Sequence, residues 1–268
     1  MNKVILATMK RNHIVSQRAF PWSFFIARVL MGIYVAVFAY FTYYYMFNGE
    51  MDSRFMEYSN GVDYMSFSVL GAGLYILSIS ILMNVGRSLM LENVEGTLEN
   101  FLLSPSSRMG YFFGVFMEQL GRSTLEFLTV ILFSLLLGAK FLIAQPFEVI
   151  LVIILTVLSL FCVGIFVATL MLYLRDTYIT QNTLFIVMSL VCGVSFPIEY
   201  LPSPVQILSS IFPLSPALAL FRQVMTGESL GSHLFEIFHI VLLGVLYCSI
   251  GLFWLKKVEK KLLENTFN

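Results

Sequence analysis

Charge is scarce in this sequence. Asp, Glu, Lys and Arg make up 12% of its 268 residues, about half the share of a soluble domain. So little charge cannot clothe a water-facing surface, and the 58% apolar content with a mean hydropathy of +0.84 excludes a disordered chain. The 16 basic and 16 acidic residues cancel, so no overall field points to a polyanion such as nucleic acid. Cysteine is scarce too. Cys162, Cys192 and Cys248 lie far apart inside apolar stretches with no CxxC pair, which argues against a disulfide framework or a thiolate metal site. They read as small buried hydrophobes.

Catalytic templates are missing as well. No GxxxxGK[ST] loop occurs: around Gly86-Arg87-Ser88 and Gly121-Arg122-Ser123 the upstream glycine and the lysine that hold nucleotide phosphates are absent. No HExxH or GxSxG motif is present, and His13, His233 and His239 are too dispersed for a zinc site. No enzymatic activity of its own is expected. Scattered Lys3, Lys10, Arg11 and Arg18, without a compact apolar core after them, do not form a cleavable signal.

What is abundant is long apolar runs. A membrane-crossing helix needs about 20 apolar residues, and the sequence predicts an all-α integral membrane protein with six spans, near 24–48, 64–87, 111–139, 147–174, 177–198 and 235–255. The third is short of apolar residues and crosses only by extending back through Glu126 and Arg122. The stretch 205–221 contains Pro213 and Pro216 and reads as short interfacial or re-entrant helices rather than a seventh span. Residues 1–22 read as a basic amphipathic interface helix, with Lys3, Lys10 and Arg11 on anionic headgroups and Pro21-Trp22 ending it. Residues 23–258 form the membrane domain and 259–268 a tail. Eleven basic residues fall on the side of the termini and three (Arg54, Lys140, Arg222) on the other, so both termini are expected in the cytoplasm of a plasma-membrane protein.

The long connection after the second span carries Glu92, Glu95 and Glu99 at spacings of three and four, on one face of a helix. Val94, Leu98, Phe101 and Leu102 take the opposite face, and Ser104-Pro105 stops it. This is either a solvated loop helix or a docking surface for a soluble partner. Within the spans, Glu118, Arg122 and Glu126 form one stripe on the third helix. It reads as a self-neutralising ladder, offset by Arg28, or as the wall of a polar path. Tyr40, Tyr43 and Tyr44 crowd the outer end of the first span, as an interfacial aromatic belt or as a surface for substrate stacking. Gly71 and Gly73, and Gly164 with Ala168, suit close helix approach.

The loop Glu95-Gly96-Thr97-Leu98-Glu99, followed by Ser104-Pro105 and Arg108, resembles the signature of the type-2 ABC transporter permease family. Arg175-Asp176, Ser195-Phe196-Pro197-Ile198, Leu201-Pro202, Pro213-Leu214-Ser215 and Arg222 follow in the family's order. The resemblance implies the membrane subunit of an ATP-driven exporter of a hydrophobic or amphipathic substrate (a drug, antibiotic, lipid or lipid-linked glycan). It implies a dimer with a second permease subunit, like or unlike, and a separate ATPase subunit that binds ATP and Mg, this chain binding no cofactor. Glu92, Glu95, Gly96, Thr97, Glu99, Ser104, Pro105, Arg108, Arg175 and Asp176 would then contact the ATPase. The alternative is a secondary transporter or channel driven by an ion gradient through Glu118 and Glu126.

Overall fold

In the computed structural model, which describes residues 2–19, 22–59, 61–140, 145–176 and 178–267, α4 (Tyr64–Val94) is the central pillar. Over its most apolar stretch it is enclosed nearly all round, the pattern of a helix that faces neither water nor lipid, and only its last turns reach the surface. Its small residues set the spacing. A Cβ on Gly86 would strike Val167 of α7 (Pro146–Leu174), and one on Gly164 of α7 would strike Val85 of α4. The two helices therefore interlock through reciprocal glycines, as packing without a hydrophobic drive requires. Gly73 lies under the Phe127 ring of α6 (Arg108–Leu136). On the far side of α7, α11 (Leu234–Phe267) approaches through Gly244 against Ser159 and Gly251 against Phe166. The first span, α2 (Ser23–Phe41), continues as a π-helical turn over Thr42–Met46 and packs on α6 with Gly32 against Thr129.

Helix ends follow their local chemistry. The Asp63 carboxylate caps α4 by accepting from the Ser66 amide, and the Ser107 hydroxyl caps α6 by accepting from Gly110. Pro146 opens α7, where its missing N–H costs nothing. No strand occurs among the described residues. The protein is an all-α integral membrane protein, with five helices among the described residues long and apolar enough to cross a bilayer, or six if one bent pair forms a span.

The expected fifth span is different. α8 (Tyr178–Val191) has 14 residues, about 21 Å of rise, and the chain turns away at Gly193 with φ +71°. The following carbonyls, of Gly193 and Val194, accept from the guanidinium of Arg222. The apolar run 177–198 is thus part helix and part a turn pinned from elsewhere. Between α8 and α11 lie a short α9 (Ser203–Ser210) and α10 (Leu214–Met225), bent 88° to one another around Pro213. A broken pair, not a straight seventh helix, is what its prolines dictate. α3 (Ser53–Tyr58) follows the π-helical turn in the connection from α2 to α4. Pro21 and Thr177, expected to close the first helix and open the fifth span, lie outside the described residues.

Candidate functional site

The connection between α4 and α6 is not one amphipathic helix. α4 runs on to Val94, the chain breaks at Gly96 with φ +70°, and a separate six-residue helix, α5 (Leu98–Leu103), follows. The break divides the three acids. Glu95 and Glu99 are exposed, whereas Glu92 is 2% exposed and faces inward from the last turn of α4. Its carboxylate accepts from the Arg11 guanidinium, from the Thr97 hydroxyl and, at 2.9 Å, from the Tyr111 hydroxyl. Glu92 is therefore a buried junction of α1 (Asn2–Ala19), α4, α5 and α6, not part of a cytoplasmic acidic face. Val94, expected to point inward, is 73% exposed, while Leu98 and Leu102 are buried as their spacing requires.

Arg11 changes role for the same reason. It was placed on lipid headgroups, and instead donates to Glu92; the hydrogen bond to that carboxylate raises its pKa against the lowering effect of partial burial. α1 lies along α6, where Gly114 admits Thr8 and the Ile5 carbonyl, and Gly110 admits Val4. Its partner is thus protein as much as membrane surface.

The other end of α5 is held by Arg108. A short helix leaves its last carbonyls without partners. One guanidinium nitrogen donates to the Leu102 carbonyl at 2.7 Å, another to Phe101 at 2.8 Å, and Nε reaches Glu259 of α11 at 2.9 Å. The same group lies 4.5 Å from the centroid of the Phe101 ring. Ser104 closes the helix by donating to the Phe101 carbonyl at 3.0 Å, and Pro105 follows on the surface. Six residues cannot sustain a helix alone. Clamps at Thr97–Glu92 and at Arg108 fix it, leaving Glu95, Glu99, Asn100 and Leu103 facing outward. Arg175, at the C-terminal end of α7 with φ +55°, and Asp176 belong to a different place. Arg175 shares a cavity with Tyr173, Trp254 and Lys257 beside α11.

The charged stripe separates into two pairs. Glu126 meets Arg28 of α2 at 2.9 Å and accepts from Ser80 of α4 at 3.4 Å. Arg122 pairs with Glu118 one turn before it, and donates to Ser16 of α1 at 2.7 Å. Arg28 is thus the offsetting cation, in direct contact with Glu126, and the stripe ties α6 to three neighbours. Tyr40 and Tyr43 both pack against Tyr44, one tilted and one edge-on, with ring centroids 4.6 and 4.9 Å apart, in a cluster on the outside of the bundle.

Sequence reasoning passed over Arg222, treated as a loop cation. It is buried, and donates to the carbonyls of Phe67 (3.3 Å), Gly193 (2.9 Å) and Val194 (2.7 Å). Its guanidinium carbon stands 3.5 Å above the Phe67 ring, and Gly71 leaves room for it. The signal was present, since an arginine within an apolar helix demands partners. Their identity was not.

A family model described as ABC-2 type transporter matches residues 3–226. The chain belongs to the ABC-2 type transporter family. No curated protein matches it. The matched stretch holds α1 to α10, including the α5 loop, Arg108 and Arg222, and leaves out α11. As a member of the ABC-2 family, the protein is a multi-pass membrane permease rather than an ATPase, in a family that generally dimerises and works with an ATPase subunit. The Arg108–Glu259 pair joins the unmatched α11 to the family portion at the base of α5.

Proposed function

We propose that this permease is the membrane half of an ATP-driven exporter. It pairs with a second permease subunit and with an ATPase subunit that binds ATP and Mg, and moves a hydrophobic or amphipathic molecule out across the plasma (inner) membrane. Both termini lie in the cytoplasm, and the ATPase docks on the outer face of α5. The observation that carries this reading is the contrast within one loop. Glu99 is exposed on α5, a helix clamped at both ends through Glu92 and Arg108, and Glu95 is exposed just before it, at the end of α4. A solvated loop has no need of such clamps, whereas a helix that receives a push must be rigid. Arg175 and Asp176 offer a second contact, and Tyr40, Tyr43 and Tyr44 line the substrate path or the subunit interface. Pairing of Glu118 and Glu126 with arginines favours a structural ladder over the gradient-driven alternative.

The test is charge reversal at Glu95 and Glu99 together. Both are exposed, so expression and melting should match the parent, while co-purification of the ATPase and substrate export should fall at least tenfold. A double variant that exports normally and retains its ATPase shows that the docking face lies elsewhere.

A further inference from the structure

Arginines set into the bundle find compensation in every case but one among the described residues. Arg28 has Glu126, Arg122 has Glu118, Arg108 has Glu259 and Arg222 has three carbonyls. Arg87, on α4, does not. Its Nη2 donates to the side-chain oxygen of Asn84 at 2.6 Å, its Nε is buried with no hydrogen-bond partner, and no described carboxylate is in ion-pair contact with it.

The guanidinium lines a cavity of about 230 Å³ between α1, α4 and α6. Two other arginines share that wall, Arg11 and Arg122, and each is already matched by its own carboxylate. Of the two acids in the wall, Glu118 is taken by Arg122, and Glu95 is exposed at the rim. Eight residues along the helix place Glu95 about 12 Å from Arg87. The cavity wall therefore carries one uncompensated positive charge. Val15 and Leu91, 53% and 47% exposed, give its mouth an apolar edge.

We propose that this cavity binds the phosphate group of an amphiphile, with Arg87 as its anchor and the acyl portion leaving over Val15 and Leu91. A guanidinium suits phosphate oxygens in charge and hydrogen-bonding geometry, and an anion there removes the cost of the unpaired charge. The site stands on the geometry of this chain alone and does not depend on which ATPase docks at α5.

The experiment uses the full chain in a neutral maltoside detergent, titrated with dioctanoyl phosphatidic acid, dioctanoylglycerol and inorganic phosphate. Phosphatidic acid should bind and raise the melting temperature, and dioctanoylglycerol, which lacks the phosphate, should do neither. Arg87→Gln should weaken phosphatidic acid binding at least tenfold, while Arg87→Lys, which keeps the charge, retains most of it. Without ligand, Arg87→Gln should melt no lower than the parent, because it removes an uncompensated charge. Lower melting or failure to fold would make Arg87 a structural residue and overturn the proposal. So would undiminished phosphatidic acid binding by Arg87→Gln, or equal binding of dioctanoylglycerol. Inorganic phosphate binding as tightly as phosphatidic acid would overturn the amphiphile and assign the site to a free anion.

Discussion

Replacing Glu92 by alanine removes the acceptor at which four helices meet. Hydrogen bonds to a charged group contribute roughly 1.5–3 kcal/mol each when nothing replaces them, but here the three donors are not equally stranded. Arg11 is 47% exposed and turns to water, so its loss is about 1 kcal/mol, the range of a screened surface pair. Tyr111 lies 3.2 Å from the Ser88 carbonyl, and the Thr97 hydroxyl 3.3 Å from the backbone carbonyl of residue 92. Each keeps a weaker acceptor, and each loss is about 1 kcal/mol. The sum is roughly 3 kcal/mol, which by the scaling of domains of this size lowers the melting temperature by roughly 6–12 °C.

Thermal unfolding of the detergent-purified permease, followed by loss of monodisperse protein, measures this directly. Arg11→Ala should be at least as damaging as Glu92→Ala, because it leaves a 2%-exposed carboxylate without its cation. The double variant should be no worse than Arg11→Ala alone. Glu95→Ala, on an exposed side chain, should leave melting unchanged. If Glu92→Ala melts within 2 °C of the parent, or costs no more than Glu95→Ala, the buried-junction argument fails.

Three further outcomes follow from the same geometry. Arg222→Ala strands three carbonyls and Gly71→Ala drives a methyl group into the guanidinium and the Val194 carbonyl; both should cut the yield of monodisperse protein several-fold, and normal yield from either contradicts the pinning of the α8 turn. Arg28→Ala should destabilise by about 3 kcal/mol by leaving Glu126 uncompensated, while Arg28→Gln with Glu126→Gln is milder; equal melting of the two variants removes the pair from the account. Single cysteines at positions 57 and 203, in a Cys-free background, should react with an impermeant maleimide from outside intact cells, and cysteines at 100 and 256 should not; external labelling at 100 reverses the proposed orientation.

The long helices were legible because a bilayer imposes a rule on composition that neither packing nor partner can waive. α4 and α7 come directly from their apolar runs, α6 from a shorter run extended back through Glu126 and Arg122, and Pro213 and Pro216 announce that 205–221 is not a straight span. α8 was misjudged because the same rule does not say where an apolar run stops being helical. Its end is set by Gly193 in a left-handed conformation, and by an arginine 29 residues later that uses the carbonyls released there. Apolar content shows what tolerates lipid. It does not show which backbone groups find partners within the protein.

The α5 loop failed in the complementary way. Spacing puts Glu92, Glu95 and Glu99 on one helical face, and a lone helix would expose all three. What withdraws Glu92 is Gly96, which ends the helix before Glu99 begins another, together with Arg11 and Tyr111, 81 and 19 residues away in sequence. Arg108 repeats the lesson from the other side. The family resemblance implied its contact with a partner, yet its donors are spent on Phe101, Leu102 and Glu259. Glu92 and Arg108, two of the six charges assigned to a partner from the sequence, hold α5 to α1, α4, α6 and α11. Fastened at both ends rather than one, this six-residue helix has the rigidity that the proposed docking role requires.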